Sequence, residues 1–189
     1  MGKIVISENV SLDGVMQDPT GEEGFKRGNW FDLAGDEDRR AWAELELEEA
    51  RAASALLLGR RSDAWFAERW TSRTGEWADR LNALPKYVVS STLQEAEWSN
   101  GTVLKGEVPD EVAKLKQEVD GDIVVYASAP LVQSLMEHDL FDELRLTVYP
   151  VVLGVGGRLF GETADMKPLR LMEARTLGTG LAHLTYQPA

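Results

Sequence analysis

Apolar runs of strand length alternate along this chain with stretches whose apolar residues recur at helical spacing. Residues 3–7 (Lys-Ile-Val-Ile-Ser) read as a first strand, apolar enough to lie inside a sheet. An Asp-Gly turn follows at Asp13-Gly14, then a long loop over 17–35 that is rich in Gly, Asp and Glu and carries Trp30 and Phe31. Residues 36–53 predict a helix. Asp36, Glu37 and Asp38 load its first turn with negative charge, and Ala43, Leu47 and Ala50 keep one apolar face. A buried strand at 54–59 ends at Gly59, where a helix begins. A third strand starts at Lys86 and runs into three hydroxyls, Ser90, Ser91 and Thr92. A short strand at 102–105 precedes an amphipathic helix at 110–119. Residues 122–132 give a fifth strand and its helix, with Ser128 as N-cap and Pro130 in the first turn. Residues 142–150 alternate more, as a strand near an edge should, and 151–160 form an apolar, glycine-rich loop. Residues 169–177 and 182–187 make a hairpin through Gly178-Thr179-Gly180. The pattern predicts one α/β domain over 1–189, its sheet parallel in the middle with an antiparallel edge and helices on both faces.

Composition removes several function classes. No apolar run approaches the roughly 20 residues of a membrane span, and the N-terminus lacks the pattern of a secretory signal, so a cytoplasmic protein without a membrane partner is expected. With no cysteine there is no disulfide framework or thiolate metal site. His138 and His183 are isolated, so no metal site is expected. The net charge of −12 argues against a nucleic-acid partner, whose affinity would come from Lys and Arg. It leaves room for one nucleotide held by a few local cations and backbone donors.

Ligands of such sheets bind outside the carboxyl ends of the strands. Three stretches fall there: Gly59-Arg60-Arg61-Ser62, Ser90-Ser91-Thr92 and Ala127-Ser128-Ala129. They offer two helix N-termini, a pair of guanidinium groups and several hydroxyls, an inventory suited to a dinucleotide with an extra 2′-phosphate. Each has a plainer reading too. Residues 127–129 suit a packing joint, and Arg60 and Arg61 would serve equally as solvated charges or partners of the abundant carboxylates.

The order of these pieces resembles the dihydrofolate reductase-like fold, in the branch containing the reductase domain of bacterial riboflavin biosynthesis. The resemblance is carried by residues 11–14 (Ser-Leu-Asp-Gly), 57–62, 88–92, 126–129, 140–146 and the glycine-rich 150–160, in order over nearly the whole chain. It implies a single-domain, three-layer fold and NADPH-dependent reduction of a pteridine-like, pyrimidine-like or small carbonyl substrate, as in 5-amino-6-(5-phosphoribosylamino)uracil reductase. By the same resemblance, Gly59, Arg60, Arg61 and Ser62 would hold cofactor phosphates, and Ala127, Ser128 and Ala129 would cover the pyrophosphate. Ser90, Ser91 and Thr92 would lie near the 2′-phosphate, with Lys105 on the adenine side. Met16, Leu153, Gly154 and Gly156 would border the nicotinamide and substrate, and Trp30 and Phe31 would close over the ring. Asp13 or Asp36 would orient the substrate or relay a proton, although Asp13 also suits a plain turn and Asp36 a helix start. The family often has Gly at the Ala127 position, and the zinc signature of its deaminase partner cannot exist without cysteine. The resemblance also implies a homodimer joined through the apolar hairpin edge. A nucleotide-binding module without catalysis and a true dihydrofolate reductase are the rival readings.

Overall fold

The computed structural model describes all 189 residues. Its elements run β1 (Lys3–Ser11), α1 (Asp36–Ala52), β2 (Ala53–Gly59), α2 (Arg60–Trp70), α3 (Glu76–Ala83), β3 (Lys86–Val89) and β4 (Gly101–Leu104). They continue α4 (Val108–Glu118), β5 (Asp122–Tyr126), α5 (Ala129–Glu137), β6 (Glu143–Tyr149), β7 (Leu169–Leu177) and β8 (Leu181–Pro188). All strands join one sheet in the order β4-β3-β2-β5-β1-β6-β8-β7. From β4 to β6 every neighbouring pair is parallel, and the β7–β8 hairpin adds antiparallel to β6. The expected mixed sheet, parallel in the middle with an antiparallel edge, is what forms.

Both faces of the sheet are covered, which explains the unbroken apolar runs. Ile4, Ile6, Leu57, Ile123 and Val125 pack under α4 and α5. Val5, Leu56, Leu58 and Val124 pack the other way, with Ala50 of α1, Trp70 of α2, and Ala78 and Leu81 of α3. Consecutive leucines in β2 therefore feed two different cores. A third cluster, with Val15, Trp30, Tyr149, Leu153 and Leu181, anchors the long loop after β1.

The structure departs from the pattern in three places. The helix α3 was not foreseen, although Trp77, Ala78 and Leu81 give it an apolar face, because it is only eight residues long and follows a polar turn. The strand β6 lies inside the sheet between β1 and β8, not near its edge; its polar alternates Glu143, Arg145 and Thr147 find polar partners, Arg145 with Glu143 and Glu49 and Thr147 with His183. Most telling is α1, whose buried positions include Glu46 and Glu49 beside Ala50, while Ala43 and Leu47 are only half-buried. Acids occupy the sheet-facing stripe that apolar residues were expected to fill.

Asp38, also buried on α1, docks the distant hairpin turn. Its Oδ1 accepts the N–H groups of Thr179 (2.7 Å) and Gly180 (3.0 Å). Gly178, at φ +60°, passes so close that a Cβ there would sit 2.2 Å from that oxygen, so only glycine serves.

Candidate active site

Two helices start where parallel strands end. Gly59 stands at the N-cap of α2 and Ser128 at that of α5, and neither caps its helix with a side chain. Ser128 instead takes a left-handed conformation (φ 66°, ψ 47°) and turns its hydroxyl across the sheet. Its Oγ accepts the Gly59 N–H at 2.9 Å and donates to Ser62 Oγ at 2.7 Å. This cross-link, not the capping expected of Ser128, is what the residue does. It leaves backbone N–H groups at both helix starts directed outward, a natural anion site. Arg60 and Arg61 are exposed beside it and pair with no carboxylate, despite the acidic surface. At the neighbouring end of β3, Ser90 Oγ accepts the N–H groups of Thr92 (3.3 Å) and Leu93 (3.1 Å), folding the turn so that Ser91 and Thr92 are exposed. Lys105 lies just beyond β4, its Nζ donating to Gln94 Oε1 at 3.1 Å.

Ala127 precedes Ser128 in the same left-handed region, at φ 52°. Two consecutive non-glycine residues there carry backbone strain of about 1–2 kcal/mol each. Ala127→Gly is therefore expected to raise unfolding stability by about 0.5–1 kcal/mol once the entropy of glycine is subtracted. Urea denaturation measures this; a loss of stability would mean that the Ala127 methyl packs more than it strains.

Around the β1 loop, Asp13 ties two glycine-rich segments together. Its carboxylate accepts from Ser11 Oγ (2.7 Å) and from the N–H groups of Leu153 (3.0 Å) and Gly154 (2.7 Å). The Ser11 hydroxyl first, and then the Leu153 amide, hold its pKa down to about 2. Met16 N–H bonds Gly157 O at 2.9 Å, and Arg27 donates to the Leu153 carbonyl. Gly156, at φ +121°, lies against Val15 and Phe25 where any Cβ would clash. Met16, Leu153, Gly154 and Gly156 thus belong to one knitted wall. Trp30 is buried with its Nε1 donating to Gln17 O (3.0 Å), and Phe31 stacks on Tyr149 with ring centroids 5.0 Å apart. Both rings anchor the loop to the third core. Asp36 is exposed at the first residue of α1, where its side chain makes no hydrogen bond.

The sequence pattern did not foresee a buried polar cluster between α1 and the sheet. The helices α1 and α2 each pack on α3 more closely than on one another. Tyr126 ends β5 beside this cluster, with Phe66 of α2 at 6.4 Å between ring centroids and the acids of α1 on its other side. Glu49 Oε2 receives Arg145 at 2.7 Å, and Arg145 also reaches Glu143 (2.6 Å) and Asp122 (3.5 Å). Burial first, and then the charge of Glu49, raise the Glu46 carboxyl well above its usual range. Burial and Glu46 do the same to Glu8 on β1, opposed by the Ala127 amide. The Tyr126 hydroxyl is held protonated by burial and by the Glu49 carboxylate beside it. Glu8 Oε1 is buried without a hydrogen-bond partner. In the sequence the two α1 acids look like surface positions of a Glu-rich helix. The one available signal was Arg145, a lone cation inside an apolar alternation.

This sheet order, with helices on both faces, is the dihydrofolate reductase-like fold. It superposes on dihydrofolate reductase from Enterococcus faecalis complexed with NADP(H), with TM-score 0.55, 14% identity and coverage of 98% of this chain and 96% of that one. A putative riboflavin biosynthesis protein from Shewanella sp. PV-4 matches with TM-score 0.78 and 20% identity over 99% of both chains. Residues 2–183 match the model of the RibD C-terminal domain, and the chain belongs to that family. It is also 34% identical over 106 residues to the uncharacterised Bacillus subtilis protein YyaP, a match spanning 56% of each.

Proposed function

We propose that this protein is an NADPH-dependent oxidoreductase acting on a pteridine-like, pyrimidine-like or small carbonyl substrate. The observation that carries the proposal is the Ser128 cross-link, which holds two uncapped helix N-termini side by side with unpaired Arg60 and Arg61 next to them. That donor set fits a dinucleotide pyrophosphate and an additional phosphate. In this reading Arg60, Arg61 and the starts of α2 and α5 bind phosphates, while Ser91, Thr92 and Lys105 frame the adenosine side. Met16, Leu153, Gly154 and Gly156 keep water from the reacting end. NADPH, when bound, supplies a hydride; the chain must position the acceptor and hold a proton. Asp13 is committed to three donors and suits a positioning role, whereas Glu8, raised by burial and facing Ala127, is the better proton holder.

Tryptophan fluorescence titrated with NADPH and NADH tests the reading. Saturable binding, tighter for NADPH, is expected, followed by cofactor oxidation with a ribosylaminopyrimidine or dihydrofolate as acceptor. Binding of neither dinucleotide would sink it. We further propose a homodimer, supported by β7 at the sheet edge with Leu171 and Met172 about half exposed. Light scattering that returns a monomer mass near 21.0 kDa would refute the dimer.

A further inference from the structure

Where β2 and β5 end, three groups stand in line. The Gly59 N–H donates to Ser128 Oγ at 2.9 Å, and Ser128 Oγ lies 2.7 Å from Ser62 Oγ. Both serines are more than nine-tenths buried. A hydroxyl has one proton and two lone pairs, and a backbone amide can only donate, so the direction of the line follows. Ser128 accepts from Gly59 and gives its own proton to Ser62 at 2.7 Å, in preference to the Tyr126 carbonyl at 3.3 Å. Ser62 therefore accepts, and its own proton meets no acceptor, since Ser62 Oγ makes no other hydrogen bond. A buried hydroxyl with an unused proton asks for an explanation, and a bound acceptor is one.

The backbone sets where that proton emerges. Ser62 lies in the first turn of α2, and Ser128 opens α5 in the left-handed conformation, directly before the helical Ala129. A left-handed residue followed by a helical one turns successive N–H groups toward one side, a concave arrangement that holds anions. Pro130 takes one amide donor away from the first turn of α5. The Ser62 hydroxyl adds a donor to the same pair of helix starts. Glycine would suit the φ of +66° at position 128 better than serine does, but it would erase the line of donors.

We infer that Ser128 is a positioning residue for the cofactor: it fixes the Ser62 hydroxyl as a one-way donor to a pyrophosphate oxygen between the starts of α2 and α5. The inference rests on the NADPH-dependent reading and adds to it a relay with a direction. Ser128 acts through Ser62 and does not itself touch the cofactor. Each hydrogen bond in such a line polarises the next, so the Ser62 hydroxyl is a stronger donor than an isolated serine would be. An ionised phosphate oxygen, which only accepts, completes the line with a charge-assisted bond; a ligand group that must itself donate does not.

The experiment titrates the full chain with NADPH by tryptophan fluorescence, as wild type, Ser62→Ala, Ser128→Ala, Ser128→Gly and the double variant Ser62→Ala with Ser128→Ala. Ser62→Ala is expected to weaken NADPH about ten-fold, as the loss of a hydrogen bond to a charged group does. With Ser62 present, Ser128→Ala and Ser128→Gly should each weaken it about three-fold to five-fold, although glycine relaxes the backbone and that variant should melt no lower than the alanine one. With Ser62 removed, Ser128→Ala should change the affinity by less than about two-fold. Adenosine 2′-phosphate, which carries the adenosine side without the pyrophosphate, should bind every form within about two-fold. Equal weakening of NADPH by Ser128→Ala with and without Ser62 overturns the inference, because a serine that only holds the two helix starts together matters in both backgrounds. So does NADPH affinity unaltered by Ser62→Ala, or a loss of the same size for adenosine 2′-phosphate. Failure of the wild-type chain to bind NADPH at all is a different result, and overturns the reductase reading instead.

Discussion

Arg145→Met is expected to remove about 3–5 kcal/mol of unfolding stability at neutral pH, a large share of the roughly 5–15 kcal/mol typical of a domain. Methionine keeps much of the apolar stem but strands the buried Glu49 carboxylate, which has no other cation within reach. Glu143 and Asp122 lose the same partner, although they are less buried. The loss should depend on pH in a defined direction. Because the deficit comes from an uncompensated negative charge, it is largest at neutral pH and smaller in acid. Wild-type protein shows the same sign for Glu8 and Glu46, whose folded pKa values lie well above 4.5. It shows the opposite sign for Asp13 and Asp38, lowered from 3.8, whose contribution is present above that value and fades as pH falls through the depressed ones. Wild-type stability should therefore peak in mildly acid solution, between these two windows. Urea denaturation at pH 5 and pH 8 checks both statements. The variant deficit should shrink at pH 5, and a deficit equal at the two pH values would show that Arg145 matters through packing rather than charge.

The second large effect concerns binding. Arg60→Ala and Arg61→Ala should each weaken NADPH about ten-fold or more, since a hydrogen bond to a charged group is worth about 1.5–3 kcal/mol. Because neither side chain makes an ion pair in the free protein, the variants should melt within a degree or two of wild type. That separation of binding from stability makes the test clean. The affinity should also fall with added salt, and the slope should flatten when both arginines are removed. The hydroxyls at the end of β3 act differently: Ser91→Ala with Thr92→Ala should narrow the preference for NADPH over NADH and leave NADH affinity nearly unchanged. If removing both arginines leaves NADPH affinity intact, the cofactor does not lie across the starts of α2 and α5.

What the sequence disclosed follows from how locally each feature is determined. The parallel strands were legible because each is a short apolar run buried on both faces, and the strand-end stretches because glycine and hydroxyl residues interrupt those runs. Asp13 was expected to orient the substrate, with Leu153 and Gly154 bordering it from the opposite side; in the fold the Asp13 carboxylate accepts the N–H groups of both. The geometry at Ala127-Ser128 was not readable in the same way. A serine before Pro130 looks like a helix cap, and only the approach of Gly59 from another strand gives its hydroxyl a better partner. The acid cluster was hidden for a deeper reason. Hydrophobic periodicity assumes that buried means apolar, and α1 breaks that rule at Glu46 and Glu49 because β6 supplies Arg145. Pairing across 96 residues of sequence leaves one local trace, the lone cation Arg145 among the apolar residues of β6.

The indole rings of Trp42, Trp77 and Trp70 form a continuous series, with centroid separations of 5.7 and 4.9 Å and steep interplanar angles. Chromophores this close and this tilted do not absorb independently; their transitions mix into a coupled pair of opposite circular-dichroic sign. The protein therefore carries its own optical gauge. Its rings belong to α1, α2 and α3, so any ligand that spreads those helices alters the couplet without a label.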